Sequence, residues 1–269
     1  MVKTFLIRIV VTVVCLSLGC ATVAASPEKV SEHLFFEQLG ENIFLIDHQF
    51  PWPANSLAVK IDNTVVLIDT PYTSEASKTI VERIRKIWSP AKIIAVNTGF
   101  HVDNLGGNGY LVDIGIPVFG SKLTCELLDQ KGEASRALML SWLKGPAHKV
   151  FYKGHQTPYI KPTEIFTIKP DEVYTLLEGK IQIYYPGESH SPDNLVVYLP
   201  ELKLLFGGCM VKSLESKNLG NTADANLGEW PVSVQKVLDK YAEAEIVVPG
   251  HGKWGGIELL RHTINLCNN

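Results

Sequence analysis

Four short segments of this 269-residue chain share one layout, an apolar run that ends in a turn carrying a side chain able to bind a metal or move a proton. They are Asn97-Thr98-Gly99-Phe100-His101-Val102-Asp103, Gly187-Glu188-Ser189-His190, Gly207-Gly208-Cys209 and Pro249-Gly250-His251-Gly252. Strand ends are where α/β proteins place their sites, because loops from several strands can converge on one point. His101, Asp103, His190, Cys209 and His251 bring imidazole, carboxylate and thiolate together, a donor mixture that suits zinc in tetrahedral coordination. One such histidine alone would read as a surface or satisfied core residue; five donors in four matching contexts point to one centre. His33, His48, His148, His155 and His262 lack that context and read as structural or solvated.

Such loops need strands beneath them, and the chain supplies short β-branched runs separated by turn residues. Residues 42–47, 57–61 and 65–69 read as strands, the last two joined by an Asp62-Asn63 turn. Residues 74–88 read as an amphipathic helix capped by Thr73 or Ser74, with Ile80, Val81, Ile84 and Ile87 at helical spacing. Residues 92–96 follow as a buried strand. Residues 122–149 read as mostly helical, interrupted at Gly132 and stopped near Gly145-Pro146, with Leu138, Leu140, Trp142 and Leu143 giving apolar surface that must cover something. The second half repeats the pattern: strands over 181–185, 195–199 and 203–206, a helix over 231–241, a strand over 245–248 and a last helix from Gly256. Two β-rich halves with helices outside imply an α/β protein, a four-layer αββα sandwich.

Residues 1–26 have Lys3 and Arg8, an apolar run over 9–18 and small residues at Ala24 and Ala25, the layout of a secretory signal peptide. Cleavage after Ala25 would leave one domain, residues 26–269, in the periplasm or outside the cell. Leu18-Gly19-Cys20 loosely resembles a lipoprotein signal, which would instead put lipid on Cys20. No later segment reaches the roughly 18 apolar residues of a membrane span. Of 25 basic and 28 acidic side chains, Lys3 and Arg8 leave with the signal, so the mature chain carries five more acids than bases and has no basic run. Nucleic acid is thereby excluded as a partner, and a monomer acting on a small molecule is expected. Cys125, Cys209 and Cys267 form no disulfide framework. A lone thiol in an oxidising compartment is best understood as a metal-held thiolate, and Cys209 is the candidate; Cys125 and Cys267 are buried residues or a pair.

Residues 97–108 with Gly106-Gly107, residues 186–194 with His190-Ser191-Pro192-Asp193-Asn194, residues 205–212 and residues 248–252 resemble the class B β-lactamases, chiefly subclass B1. The resemblance runs from about Glu41 to the C-terminus. Other hydrolases of that fold carry H-x-H-x-D-H and a bridging Asp; here Asn104 follows Asp103, and Cys209 stands where the bridging Asp would be. The resemblance implies hydrolytic opening of β-lactam rings, with Asp103, Cys209 and His251 forming one zinc site and His101 and His190 belonging to another. It also implies that Lys212 pairs with the substrate carboxylate, that Asn221 orients the lactam carbonyl, and that Asp69 lies beneath the metals and fixes ligand orientation. Phe50-Pro51-Trp52-Pro53 resembles the family's hairpin that closes over substrate with aromatics. The helix over 133–144 resembles an extended helix that roofs a carbapenem-selective site.

One departure matters. The family's di-zinc members have a third histidine two residues before His101, and here that residue is Gly99, which has no side chain. One tight zinc at Asp103, Cys209 and His251 is therefore expected, with a second weak or absent at His101 and His190. In the single-zinc version, His101 or Asp103 orients and deprotonates the attacking water. A lactonase or thioesterase of the same fold, or a zinc-binding relative without activity, are the competing readings.

Overall fold

In the computed structural model, which describes residues 26–70, 72–89, 92–143, 145 and 159–269, two sheets face one another. The expected signal segment, Cys20, His148 and His155 lie outside the described residues. The larger sheet runs β1 (Glu28–Ser31), β2 (Leu34–Gly40), β3 (Ile43–His48), β4 (Ala54–Ile61), β5 (Thr64–Ile68), β6 (Lys92–Val96), β7 (Val118–Ser121) and β8 (Glu164–Phe166) in spatial order. It is antiparallel as far as β5 and parallel from β5 to β8. The smaller sheet is ordered β13 (Ile246–Pro249), β12 (Leu204–Gly208), β11 (Val196–Leu199), β10 (Ile181–Tyr184) and β9 (Val173–Leu176), with β12 and β13 parallel and the other pairs antiparallel.

Strand alternation sorts the apolar residues into layers. Leu57, Val59, Val66, Ile94 and Val96 meet Ile183, Val197, Phe206 and Val248 of the other sheet in the central core. The alternate residues Ala58, Val65, Leu67, Ile93 and Ala95 face outward onto helices α1 (Ser74–Ile87) and α3 (Asn108–Asp113). On the far side, Val196, Tyr198, Leu205 and Val247 pack against α5 (Trp230–Lys240) and α6 (Glu258–Cys267). The expected αββα sandwich is the observed architecture. Among the described residues the path also holds the short α2 (Val102–Leu105) and the long α4 (Lys122–Trp142).

The differences from the expected elements have physical causes. β7 and β8 are four and three residues long, too short to show a period, and β2 reads Leu-Phe-Phe-Glu-Gln-Leu-Gly without a β-branched residue. Helix α4 passes through Gly132 without interruption and ends at Trp142. A mid-helix glycine costs about 1 kcal/mol relative to alanine. Gly132 is buried in the unbroken helix, and a Cβ there would meet only Leu128 of the preceding turn, at 3.4 Å. Helix α1 begins where expected, with the Thr73 hydroxyl accepting from the Ala76 N–H at 3.1 Å.

Candidate metal centre and pocket

The loops that follow β5, β6, β10, β12 and β13 gather at one end of the two sheets, tied across by backbone bonds from Leu195 N–H to Thr98 O and from Asn55 N–H to Gly250 O, each 2.8 Å. Asn55 also donates its amide to Pro249 O and Gly252 O at 2.8 Å, bracketing the His251 turn. Gly250 is required there, because a Cβ would stand 2.7 Å from Cys209 N. This close approach brings Asp103, Cys209 and His251 together, with their donor atoms all within 4.8 Å of one another. Cys209 Sγ lies 2.9 Å and His251 Nε2 3.1 Å from Asp103 Oδ2, and the sulfur is 3.7 Å from Nε2. His251 Nδ1–H donates to Pro53 O at 2.5 Å, which aims Nε2 at the trio, where it would become a lone-pair donor once a metal displaced its proton. Burial works to raise the Asp103 carboxyl, but the hydrogen bond and charge of His251, with His101 behind it, hold it well below the carboxylate range. Burial and the Asp103 charge push the Cys209 thiol well up. One oxygen, one sulfur and one nitrogen donor, two of them anionic when they ligate, form a set that a divalent cation would satisfy.

Asp69 follows β5 and accepts from Thr98 N–H (2.8 Å), the Thr98 hydroxyl (2.7 Å) and the Asn104 amide (2.8 Å). Burial nonetheless pushes its carboxyl up to about 8. The Asn104 amide also reaches Cys209 Sγ at 3.7 Å, so Asp69 acts on the trio through one intervening side chain.

His101 and His190 sit side by side, ring centroids 5.1 Å apart. Gly99 presents no side chain, and a Cβ there would meet Asn104 Oδ1 at 3.2 Å and Asn194 Nδ2 at 3.3 Å, so amide groups already close that face. His101 Nε2 is instead 3.1 Å from Asp224 Oδ2, whose other oxygen takes Lys131 Nζ of α4 at 2.8 Å. The hydrogen bond from His101 leads the interactions that hold Asp224 below the usual carboxylate range. A carboxylate only accepts, so Nε2 carries the proton and Nδ1 is left as the ring nitrogen able to bind or take one. Burial lowers His101, but Asp224 and Asp103 outweigh it and raise the ring; burial, with His101 and Lys212 nearby, holds His190 well down.

His101, Asp103, His190 and His251 line a cavity of about 590 Å³. Trp52, Tyr72, Leu138, Met139 and Trp142 make an apolar wall, with Trp52 and Trp142 edge to face at 6.0 Å. Lys212, Asn221 and Asp224 line the polar side. Asn221 spends its carboxamide oxygen on the Ala223 N–H at 3.2 Å. Phe50 is not among the residues lining this cavity; its ring stacks on His33 at 4.9 Å, so the hairpin offers the pocket Trp52 and turns Phe50 away. Cys125 is buried, Cys267 half-buried, and both are free thiols rather than a pair.

Residues 50–251 match the family described as the Metallo-beta-lactamase superfamily. The chain belongs to that superfamily. It is 32% identical over 214 residues to the metallo-beta-lactamase type 2 of Bacillus sp. (strain 170), covering 80% of this chain and 72% of that one. It is 29% identical over 255 residues to the metallo-beta-lactamase type 2 of Bacteroides fragilis, covering 92% and 91%. A solved structure of a metallo-beta-lactamase from Pontibacter korlensis superposes with a TM-score of 0.71 at 33% identity, covering 88% of this chain and 99% of that one.

Within this metallo-beta-lactamase superfamily member, four residues escaped sequence reasoning: Asn55, Lys131, Asp224 and Trp230. Their contacts close over long separations, 123 residues between His101 and Asp224 and 93 between Lys131 and Asp224, and no local spacing marks them. The one sequence signal for Asp224 is its place three residues after Asn221.

Proposed function

We propose that this protein is a zinc-dependent hydrolase that opens the amide bond of β-lactam rings, carbapenems included, and so confers resistance to such antibiotics. The observation that carries the proposal is the Asp103, Cys209 and His251 trio, two of whose members, Asp103 and His251, line a pocket that Lys212 also lines. Relatives named metallo-beta-lactamase type 2 support it. Those three residues would hold one zinc tightly, and His101 with His190 offers two imidazoles for a weaker second. When bound, zinc would supply Lewis acidity to the scissile amide. Lys212 recognises the substrate carboxylate, and among the described residues no acid lies within ion-pair distance of its ammonium. His101, held at Nε2 by Asp224, offers Nδ1 to orient and deprotonate the attacking water. Asn221, another lining residue, would orient the lactam carbonyl with its amide N–H, and Trp52 with Leu138 and Trp142 of α4 gives the pocket an apolar side. The composition of residues 1–25 supports delivery outside the cytoplasm.

The test is zinc content after dialysis together with nitrocefin and imipenem hydrolysis, for the wild type and Cys209→Ala. Wild-type turnover that a chelator abolishes is expected, with Cys209→Ala losing both the tight zinc and more than about 100-fold in rate. Full turnover by Cys209→Ala would refute the assignment.

A further inference from the structure

We propose that Trp230 is the positioning residue of the anion site, its indole seating the Lys212 ammonium and the His190 ring together and thereby setting how tightly a substrate carboxylate is held. This rests on the β-lactam reading above. Trp230 is the first residue of α5 and is fully buried. Its indole N–H donates to Met210 O at 2.8 Å, two residues before Lys212, so the ring is fixed to the backbone that carries the lysine. Lys212 Nζ stands 5.1 Å from the ring centroid, inside cation–π reach, and the His190 ring meets the same indole at 5.4 Å and 65°. The lysine backbone is pinned from the other side, its N–H donating to Thr263 Oγ1 at 2.8 Å.

Lys212 is 8% exposed yet borders the pocket. An ammonium in that position needs compensation, and the kind of compensation decides what it can do. A neighbouring carboxylate would neutralise it and compete with an incoming anion. An aromatic face stabilises the charge while leaving the N–H donors unspent, so the cation stays available to the substrate. Since His190 rests on the same ring, the distance between the anion site and the imidazole pair is set by one rigid side chain.

The experiment compares one β-lactam bearing its ring carboxylate with the methyl ester of the same compound, on wild type, Trp230→Phe and Trp230→Leu. Folding is checked by thermal melts and near-UV circular dichroism. Trp230→Phe should raise KM for the acid by about 2- to 30-fold with kcat nearly kept, and leave KM for the ester unchanged. Trp230→Leu, where folded, should do so more strongly. In a Lys212→Ala background, Trp230→Phe should change KM no further. Equal losses on acid and ester, additive losses with Lys212→Ala, or an unchanged Trp230→Phe would each overturn the inference while the wild type remains active. A wild type that hydrolyses neither compound overturns the β-lactam reading and this inference with it.

Discussion

Asp224 illustrates what one carboxylate can do when both of its oxygens are committed. It takes His101 Nε2 on one side and Lys131 Nζ on the other, two charge-assisted bonds that lock the imidazole's tautomer and its angle. Asparagine keeps the shape but loses the charge. Asp224→Asn is therefore expected to lower kcat/KM by about 10- to 100-fold with little change in melting temperature, because the side chain is only partly buried. Lys131→Ala, one step farther out, should cost less. Steady-state kinetics beside thermal melts check both, and an unchanged kcat/KM for Asp224→Asn would remove the positioning role. Gly99 belongs to the same account, since the face where another residue would project is filled by the Asn104 and Asn194 amides.

At the scale of elements, α4 does more than cover the core. Ser121 caps it, accepting from Thr124 N–H at 3.0 Å. Lys131, Ser135, Leu138 and Trp142 then follow at spacings of four, three and four, one helical stripe. That stripe begins with the Asp224 contact and ends with the indole facing Trp52, so one helix both steadies the imidazole and forms the apolar wall. Trp142 is 47% exposed, which means its removal should cost little stability. Trp142→Ala is expected to raise KM by about 3- to 10-fold for substrates with bulky apolar substituents, in keeping with an aromatic pair worth about 0.5–1.5 kcal/mol. Substrates with small substituents should be less affected. Equal effects on both groups, in a substrate panel, would assign the wall a purely structural part.

Across the whole molecule, the centre exists because two sheets end at the same level. Asp103 hangs from the larger sheet and Cys209 and His251 from the smaller, so the trio assembles only when the central core has closed. Loss of that closure is reported by His48, at the end of β3, where the ring is buried, stacks on Tyr72 and leaves Nδ1 without a partner. Burial pushes its imidazole down to about 4 from an ordinary 6.5. Below pH 6.5 the unfolded chain takes up a proton that the folded protein refuses until about pH 4, so stability present above pH 6.5 drains away as pH falls through that window. The loss is on the order of 3 kcal/mol. His48→Gln should start less stable at pH 7, and its gap to the wild type should narrow by pH 4.5 in thermal melts. A constant gap would mean that His48 does not titrate with folding.

Local chemistry made much of this readable in the chain alone. Helix α1 follows from its cap and apolar spacing, the strands β5, β6 and β11 from their β-branched runs, and the five donors from the turns that carry them. Periodicity and turn preference act over a few residues, so they survive without the fold. The tertiary structure alone decided that Phe50 turns from the pocket while Trp52 lines it, and that Gly132 does not break α4. It also decided that Asp224 reaches His101, that Lys131 reaches Asp224, and that Trp230 reaches His190 and Lys212. Those contacts join residues far apart in sequence, and their free energy comes from burial and charge at the closed end of the sandwich, where no local pattern can record them.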